Sequence, residues 1–319
     1  MVSSAPAVAE QLKITVTIDN YFDGLLMPEK NVQRYRFLRL EGGEISGLPP
    51  FLSAEHGFSC CIEVLASGQK STLLMDFGAS AEGAARNMEA INIDPTAVDA
   101  ALLSHGHFDH FGGLEKLVNG NRSGRERLLP FYVGKEAFLR RFISLPGAKI
   151  DLGRLDAAAV EAAGCQIEEI SQPKEILPGI LVIGPIPRNT EFEKGSPILM
   201  VERNGGLEQD DFVGELSLAF NVSGKGLVIL TACAHAGIVN IVRQAVQLTG
   251  VQRIHAILGG FHLSGAPEEK IKMTVSELGR MGPEQIVPMH CTGFQAVKTI
   301  SDVMPGAFTL YSTGSQYSF

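Results

Sequence analysis

The sequence predicts an α/β protein. Apolar strand-like runs alternate with stretches of helical spacing, and several of the runs end in a short polar turn carrying histidine, cysteine or aspartate. Such ends are Leu103 before Ser-His-Gly-His, Leu230 before Thr-Ala-Cys-Ala-His, Leu258 before Gly-Gly-Phe-His, and Met289 before His-Cys-Thr-Gly. In α/β folds ligands gather at strand ends of this kind. No period of 20–50 residues recurs, so a repeat architecture is not indicated.

The elements follow in order. Lys13–Asp19 alternates β-branched and polar residues and reads as a strand. The stretch 20–57 has weak periodicity and is long for a loop, which marks a functional excursion. Phe58–Leu65 and Ser71–Asp76 read as a hairpin, ending in Asp76-Phe77-Gly78. That aspartate reads equally as a turn residue or as a carboxylate orienting groups at the strand ends. Helical spacing over Ala81–Ile91 is followed by a short buried strand, Val98–Leu103, and by a helix from about Gly112. Arg122–Arg127 reads as a solvated basic loop, Phe131–Val133 as a strand and Lys135–Phe142 as a helix. The section 153–211 mixes short apolar runs with prolines and yields no clear pattern. Beyond it lie a hairpin (Leu216–Val222, Leu227–Leu230), helices at Ile238–Leu248, Ile271–Met281 and Phe294–Val303, and strands at Ile254–Leu258, Ile286–Met289 and Phe308–Ser312.

A length of 319 residues allows one large domain or two ordinary ones. Apolar residues at 45% and charged residues at 19% describe a globular protein with ample core. A net charge of −8 argues against nucleic acid as a partner, while leaving room for a small anionic substrate held by local cations. Five cysteines with no paired framework, two of them adjacent at Cys60 and Cys61, favour a reducing cytoplasm. The N-terminal stretch lacks a basic region and long apolar core, so no signal peptide is read, and residues 1–10 are expected to fray. No apolar run reaches the ~18 residues of a membrane span, so no membrane partner is expected.

The most informative stretch is Leu102–Leu114. Of eight histidines in the chain, His105, His107 and His110 fall here within six residues, together with Asp109. Alternation along an extended segment puts His105 and His107 on one side. Asp109 and His110 follow where the chain turns and can serve a second cation. Imidazole and carboxylate suit zinc, iron or manganese better than calcium or magnesium. A two-metal hydrolytic site needs roughly six N/O ligands, and His235, His262 and His290 at later strand ends can supply the rest. His56, just before a strand, can face the same pocket. His255 lies inside a strand and reads as structural.

These residues resemble the metallo-β-lactamase superfamily. SHGHFDHFGGL carries its HxHxDH signature, Asp76 fits its Asp-x-Gly, LVILTACAH stands where a strand usually ends in Thr-Gly-Asp, and IVPMHCTG fits the late strand whose histidine binds the second metal. HGFS at His56–Ser59, Cys-Ala-His-Ala-Gly at Cys233–Gly237, GGFHL and HCTG resemble more closely the 7,8-dihydropterin-6-ylmethyl-4-(β-D-ribofuranosyl)aminobenzene 5′-phosphate synthase-like branch, many of whose members are described only as metal-dependent hydrolases. The resemblance spans roughly Glu55 to Thr313. It implies one four-layer αββα sandwich over residues 1–319, with specificity excursions near 20–57 and 153–211.

It also implies a site. His105, His107 and His235 are expected to hold one metal, and Asp109, His110 and His290 a second. Asp76 is expected just behind the ligands. The family's middle histidine is missing, with Asp211 lying about where it would be, and Cys233 replaces the usual bridging aspartate. One or two divalent transition metals are expected, zinc foremost, with iron or manganese as alternatives. The expected function is hydrolysis of a small-molecule ester or phosphoester by a metal-activated water. Asp109 would position that water or take its proton, and His262 and His56 would contact substrate. Two alternatives stand beside it: a transferase using a pterin diphosphate, and a non-catalytic metal-binding or redox protein. Diiron members carry a glutamate at the position of His107, which leans away from the redox version.

Overall fold

In the computed structural model, which describes residues 6–35, 50–119 and 127–319, β1 (Ala9–Ile18) opens the fold. It begins inside the stretch expected to fray. Ala9 is fully buried and pairs with Ala66 and Val222, so Ala9 and Glu10 belong to the sheet. Residues 1–5 lie outside the described residues, as does most of the basic loop at 122–127. After β2 (Val32–Gln33), strands β3 (Ser59–Ala66) and β4 (Gln69–Met75) form the expected hairpin. Its turn residues Ser67 and Gly68 have φ of 52° and 71°, the left-handed pair whose twist matches the flanking strands.

Helix α1 (Gly83–Ala90), strand β5 (Ala100–Leu103), helices α2 (Phe108–Phe111) and α3 (Leu114–Asn119) and strand β6 (Leu129–Gly134) follow. The segment expected as a helix at Lys135–Phe142 instead turns and enters β7 (Arg141–Leu145). Tertiary pairing overrides its helical spacing: Phe142 pairs with Met200, and the Arg141 side chain is buried in an ion pair. Then come β8 (Ala148–Gly153), α4 (Ala157–Ala162), β9 (Cys165–Ile170), β10 (Lys174–Leu177), β11 (Ile180–Val182), β12 (Leu199–Arg203) and β13 (Gly206–Gln209).

The C-terminal half is more regular: β14 (Leu218–Val222), β15 (Gly226–Thr231), α5 (Ile238–Thr249), β16 (Ile254–Gly260), α6 (Glu268–Met281), β17 (Gln285–Met289) and α7 (Phe294–Val303). Strands β15, β16 and β17 run parallel and are buried nearly throughout, so they read as continuous apolar runs without alternation. The last strand is not 308–312. Phe308 makes one isolated bridge to Ile286, and the final strand is β18 (Gln316–Ser318) against β1. The backbone over 309–314 bonds irregularly: the Thr309 amide donates to Ile286 O, the Thr313 amide to Tyr21 O and the Gly314 amide to Val16 O, so no continuous ladder forms.

Strand order is β9-β6-β5-β4-β3-β1-β14-β15-β16-β17, and β1 meets β14 only at Ala9–Val222 among the described residues. That narrow seam lets the sheet fold over on itself. Leu12, Ile14, Ile62, Leu73 and Leu102 from one half pack against Phe220, Val228, Leu230, Leu258 and Val287 from the other. Helices α5, α6 and α7 cover the outer face of the second half, and α1, α3 and α4 that of the first. The result is a four-layer αββα sandwich. Each large side chain buried in it contributes about 1.5–3 kcal/mol. Among the described residues no helix is long and apolar enough to cross a membrane.

A separate antiparallel sheet, β13-β12-β7-β8, takes β12 and β13 from the section 153–211 that yields no clear sequence pattern and β7 and β8 from the stretch just ahead of it. Arg141 ties it to the first histidine loop. Its Nε donates to Asp210 Oδ2 at 2.7 Å and its Nη1 reaches Leu139 O and Gly106 O, and both side chains of the pair are buried. Arg141→Leu should therefore destabilise the protein by about 3–5 kcal/mol in denaturant melts, because Asp210 stays buried without its cation. A loss under about 1 kcal/mol would instead give the pair the value of an exposed one.

Candidate metal centre

Strand β5 ends at Leu103 and delivers Ser104 and His105, while His107 precedes the short α2, whose first turn carries Asp109 and His110. Strand β15 brings His235 and β17 brings His290. All six side chains are buried. Among the described residues, ligand atoms of His105, His107 and His235 lie within 4.8 Å of one another, and so do those of Asp109, His110 and His290. The six residues expected as ligands thus converge as two trios at the ends of strands from both halves of the sandwich.

Asp76 organises the near side. At the end of β4 it is fully buried with φ of 59°. Its Oδ1 accepts from the Ser104 amide at 2.7 Å, and its Oδ2 from Ser104 Oγ at 2.6 Å. His110 Nδ1 lies 2.6 Å from the same Oδ2, and His105 Nδ1 lies 2.9 Å from Ser104 Oγ. A carboxylate accepts only, so the network assigns the Nδ1 proton to both rings and leaves each Nε2 lone pair facing the site. The carboxylate reading of Asp76, rather than the plain turn, is the one the geometry matches.

The far side is held by groups that sequence reasoning passed over. Glu215, buried ahead of β14, accepts from the His235 and Ala236 amides at 2.7 Å each, and Arg188 Nη1 donates to His235 O at 2.9 Å. Phe212 stacks on the His235 ring at 3.8 Å and 6°. At the end of β1, Asp19 Oδ1 accepts from the His290 amide at 3.0 Å, and Asn20 Nδ2 donates to His290 O at 2.9 Å. Burial raises both Asp19 and Glu215 to about 7. A strand ending in Asp-Asn was the one available signal for the grip on His290; Glu215 and Phe212 had none. Asp76, Ala234, His262 and His290 all have positive φ between 46° and 59°. Strained backbone gathered at one place marks a functional site.

The donor chemistry fits cations. His105 Nε2 and His235 Nε2 face each other at 3.1 Å, though the Ser104 contact leaves His105 Nε2 a lone pair. Burial pushes His107 down to about 3 and, with neighbouring imidazoles, holds His105 and His235 well below the ordinary histidine range. These rings are neutral, the form that binds metal. Burial opposes charge on Asp109, but His110 and His290 outweigh it and keep its pKa below the usual carboxylate range. Burial likewise opposes charge on His290, yet Cys291 and Asp109 raise it to about 9: the pocket surrounds this ring with negative charge. Its Nε2 lies 3.3 Å from Asp109 Oδ2, and among the described residues neither ring nitrogen has a hydrogen-bond partner.

The other expected residues divide. His56 sits at the rim, 65% exposed, with Nε2 3.5 Å from Asp109 Oδ2 and its ring stacked on His290 at 5.1 Å. His262 lies 4.2 Å from the His235 ring, with a buried Nδ1 that has no hydrogen-bond partner among the described residues. Cys233 Sγ is 3.2 Å from His110 Nε2, against the near-side ligands. His255 stays outside and bonds Glu284. Asp211 must be corrected. Its carboxylate is exposed and bonds Arg203 Nη2 at 2.6 Å, because the turn buries its neighbours Asp210 and Phe212 instead.

The metallo-beta-lactamase superfamily model matches residues 62–122, the segment that holds Asp76 and four of the six candidate ligands. The Methanocaldococcus jannaschii 7,8-dihydropterin-6-methyl-4-(beta-D-ribofuranosyl)-aminobenzene-5'-phosphate synthase is 34% identical over 252 residues, covering 77% of this chain and 84% of its own length. Tm1679, a metal-dependent hydrolase of the beta-lactamase superfamily, matches with a TM-score of 0.72 and 25% identity over 96% of this chain and 98% of its own. YhfI from Bacillus subtilis, a metallo-beta-lactamase fold protein, shares the fold at a TM-score of 0.54 and 12% identity, over 97% and 100% of the two chains.

Asp76→Ala should weaken metal retention about 10- to 100-fold, since it frees the ring orientation of His110 and unseats Ser104. Competition with a chromogenic chelator measures this, and retention unchanged from wild type would remove Asp76 from the centre.

Proposed function

The chain belongs to the metallo-beta-lactamase superfamily, and from that premise we propose that it is a metal-dependent hydrolase of a small-molecule ester or phosphoester. The convergence of two buried donor trios with Asp109 on the side facing the exposed His56 carries this reading. His105, His107 and His235 would hold one divalent cation and Asp109, His110 and His290 a second, with zinc the first choice and iron or manganese the alternatives. Such a cation supplies Lewis acidity toward an ester or phosphoryl oxygen and makes water a nucleophile at neutral pH.

The protein's own groups do the rest. Asp109 stays ionised and accepts the proton of the attacking water. Its Oδ2 lies between His290 and the rim residue His56, so the proton has a short route to solvent. His262, beside the His235 ring and partly exposed, donates from its Nε2 to negative charge developing on the substrate. Asp76 and Glu215 hold His110 and His235 from behind, which keeps the ligands from reorienting during turnover.

A second reading is transfer instead of hydrolysis. It is favoured by the 34% identity to the Methanocaldococcus jannaschii synthase across most of both chains. The same centre would then activate a pterin diphosphate toward an aminobenzene ribotide rather than toward water. Both readings would use the same cations to draw charge off the substrate, and they differ in the nucleophile and in the atom attacked: an acyl carbon or phosphorus in hydrolysis, the pterin methylene carbon, with diphosphate leaving, in transfer.

His107→Ala should empty the site that it shares with His105 and His235, lowering the metal content accordingly, and cut turnover by more than about 100-fold. Full activity with that site empty by metal analysis would sink both readings. Product analysis separates them. With a pterin diphosphate and an aminobenzene ribotide supplied together, release of diphosphate and free pterin marks hydrolysis, and a condensed product marks transfer.

A further inference from the structure

Two thiols stand beside the histidine trios and are used by neither. Cys291 Sγ lies 3.4 Å from Cys233 Sγ and 3.4 Å from Cys233 O, and both residues are buried at the ends of β17 and β15. A ring nitrogen of His262, at the end of β16, joins them: the three ligand atoms lie within 4.8 Å of one another. Sulfur donors at ~2.3 Å from a tetrahedral ion sit about 3.8 Å apart, close to the separation found here.

Three further observations point to this cluster as a built feature. Gly260 makes room for it, because a Cβ there would meet Cys291 Sγ at 2.7 Å and Ala232 O at 2.2 Å. Each donor stands at or beside a residue with positive φ, namely Ala234, His262 and His290. His262 Nδ1 is buried without a hydrogen-bond partner among the described residues.

We propose that Cys233, His262 and Cys291 form a third metal site, thiolate-rich and selective for zinc-class cations, beside the two histidine-lined sites. Cys233 also falls within ligand reach of His105 and His110, so its sulfur bridges the new site to the near-side ligands. Soft thiolate donors distinguish this position from its N/O neighbours in metal preference. An imidazole binding through one nitrogen keeps the other for substrate, so the site is compatible with either reaction above and independent of which one occurs.

Cobalt(II) titration of the full-length protein under reducing, anaerobic conditions tests the proposal. The expected result is three cobalt ions per chain and a near-ultraviolet thiolate-to-cobalt charge-transfer band. In Cys291→Ser the stoichiometry should fall to two and the band should lose at least half its intensity, while the visible absorption of the histidine-bound ions persists. His262→Gln, which keeps both sulfurs, should weaken the third ion at least tenfold and serves if the serine variant does not fold. A band unchanged in Cys291→Ser with two ions bound would overturn the proposal, leaving Cys233 as a ligand of the histidine sites alone. So would the absence of a band in wild type, or a free-thiol titre of three, which would mean that the pair is a disulfide. Loss of catalysis with the third ion still bound would fault the hydrolase reading and leave this site standing.

Discussion

The first histidine cluster, on which the site is built, depends on one buried carboxylate. Asp76 has no exposure to water, and its two oxygens take up three hydrogen-bond partners, two from Ser104 and one from His110. A carboxylate in that position costs several kcal/mol to desolvate unless its lone pairs are filled. Here filling them also joins the ends of β4 and β5, sets the tautomer of His110 and, through Ser104, that of His105. Structure and chemistry are the same four contacts. Removing the charge would release the loop and both rings together.

The opposite wall follows a different logic. Glu215 and the Asp19–Asn20 pair grip the main chain of His235 and His290 rather than their rings. Positive φ at Ala234 and His290 is uphill for non-glycine residues and persists only where the surroundings over-determine it. Backbone clamps from neighbouring strands provide that. The rings on this side are then aimed by packing, His235 by the flat face of Phe212 and His290 by stacking with His56.

Much of this was legible in the amino-acid order, and what was not has identifiable causes. The first cluster could be read because its candidate ligands are local, four within six residues after a buried strand. His235 and His290 could be read because strand ends concentrate ligands. Lys135–Phe142 misled because apolar spacing cannot show that Arg141 will be buried against Asp210, 69 residues away. Asp211 misled for a related reason. Of three adjacent residues, Asp210 and Phe212 turn inward and Asp211 outward, and only the long-range partners decide which. Cys291 stood in plain view beside His290, yet its sulfur gains meaning only from Cys233 on another strand.

The clamp on His290 also sets an order of events during synthesis. Asp19 and His290 are 271 residues apart in sequence, and Thr313, which holds the Asp19 carbonyl, lies still further along. On a ribosome adding about 5–20 residues per second, roughly ten to forty seconds separate the emergence of His110 from that of His290. During that interval the nascent chain displays a partial chelating cluster with no far wall. Contacts of such long range are made last and slowly. Metal capture in its final geometry is therefore one of the closing steps of folding, and a chain truncated before β17 would carry the signature motif without the pocket that gives it meaning.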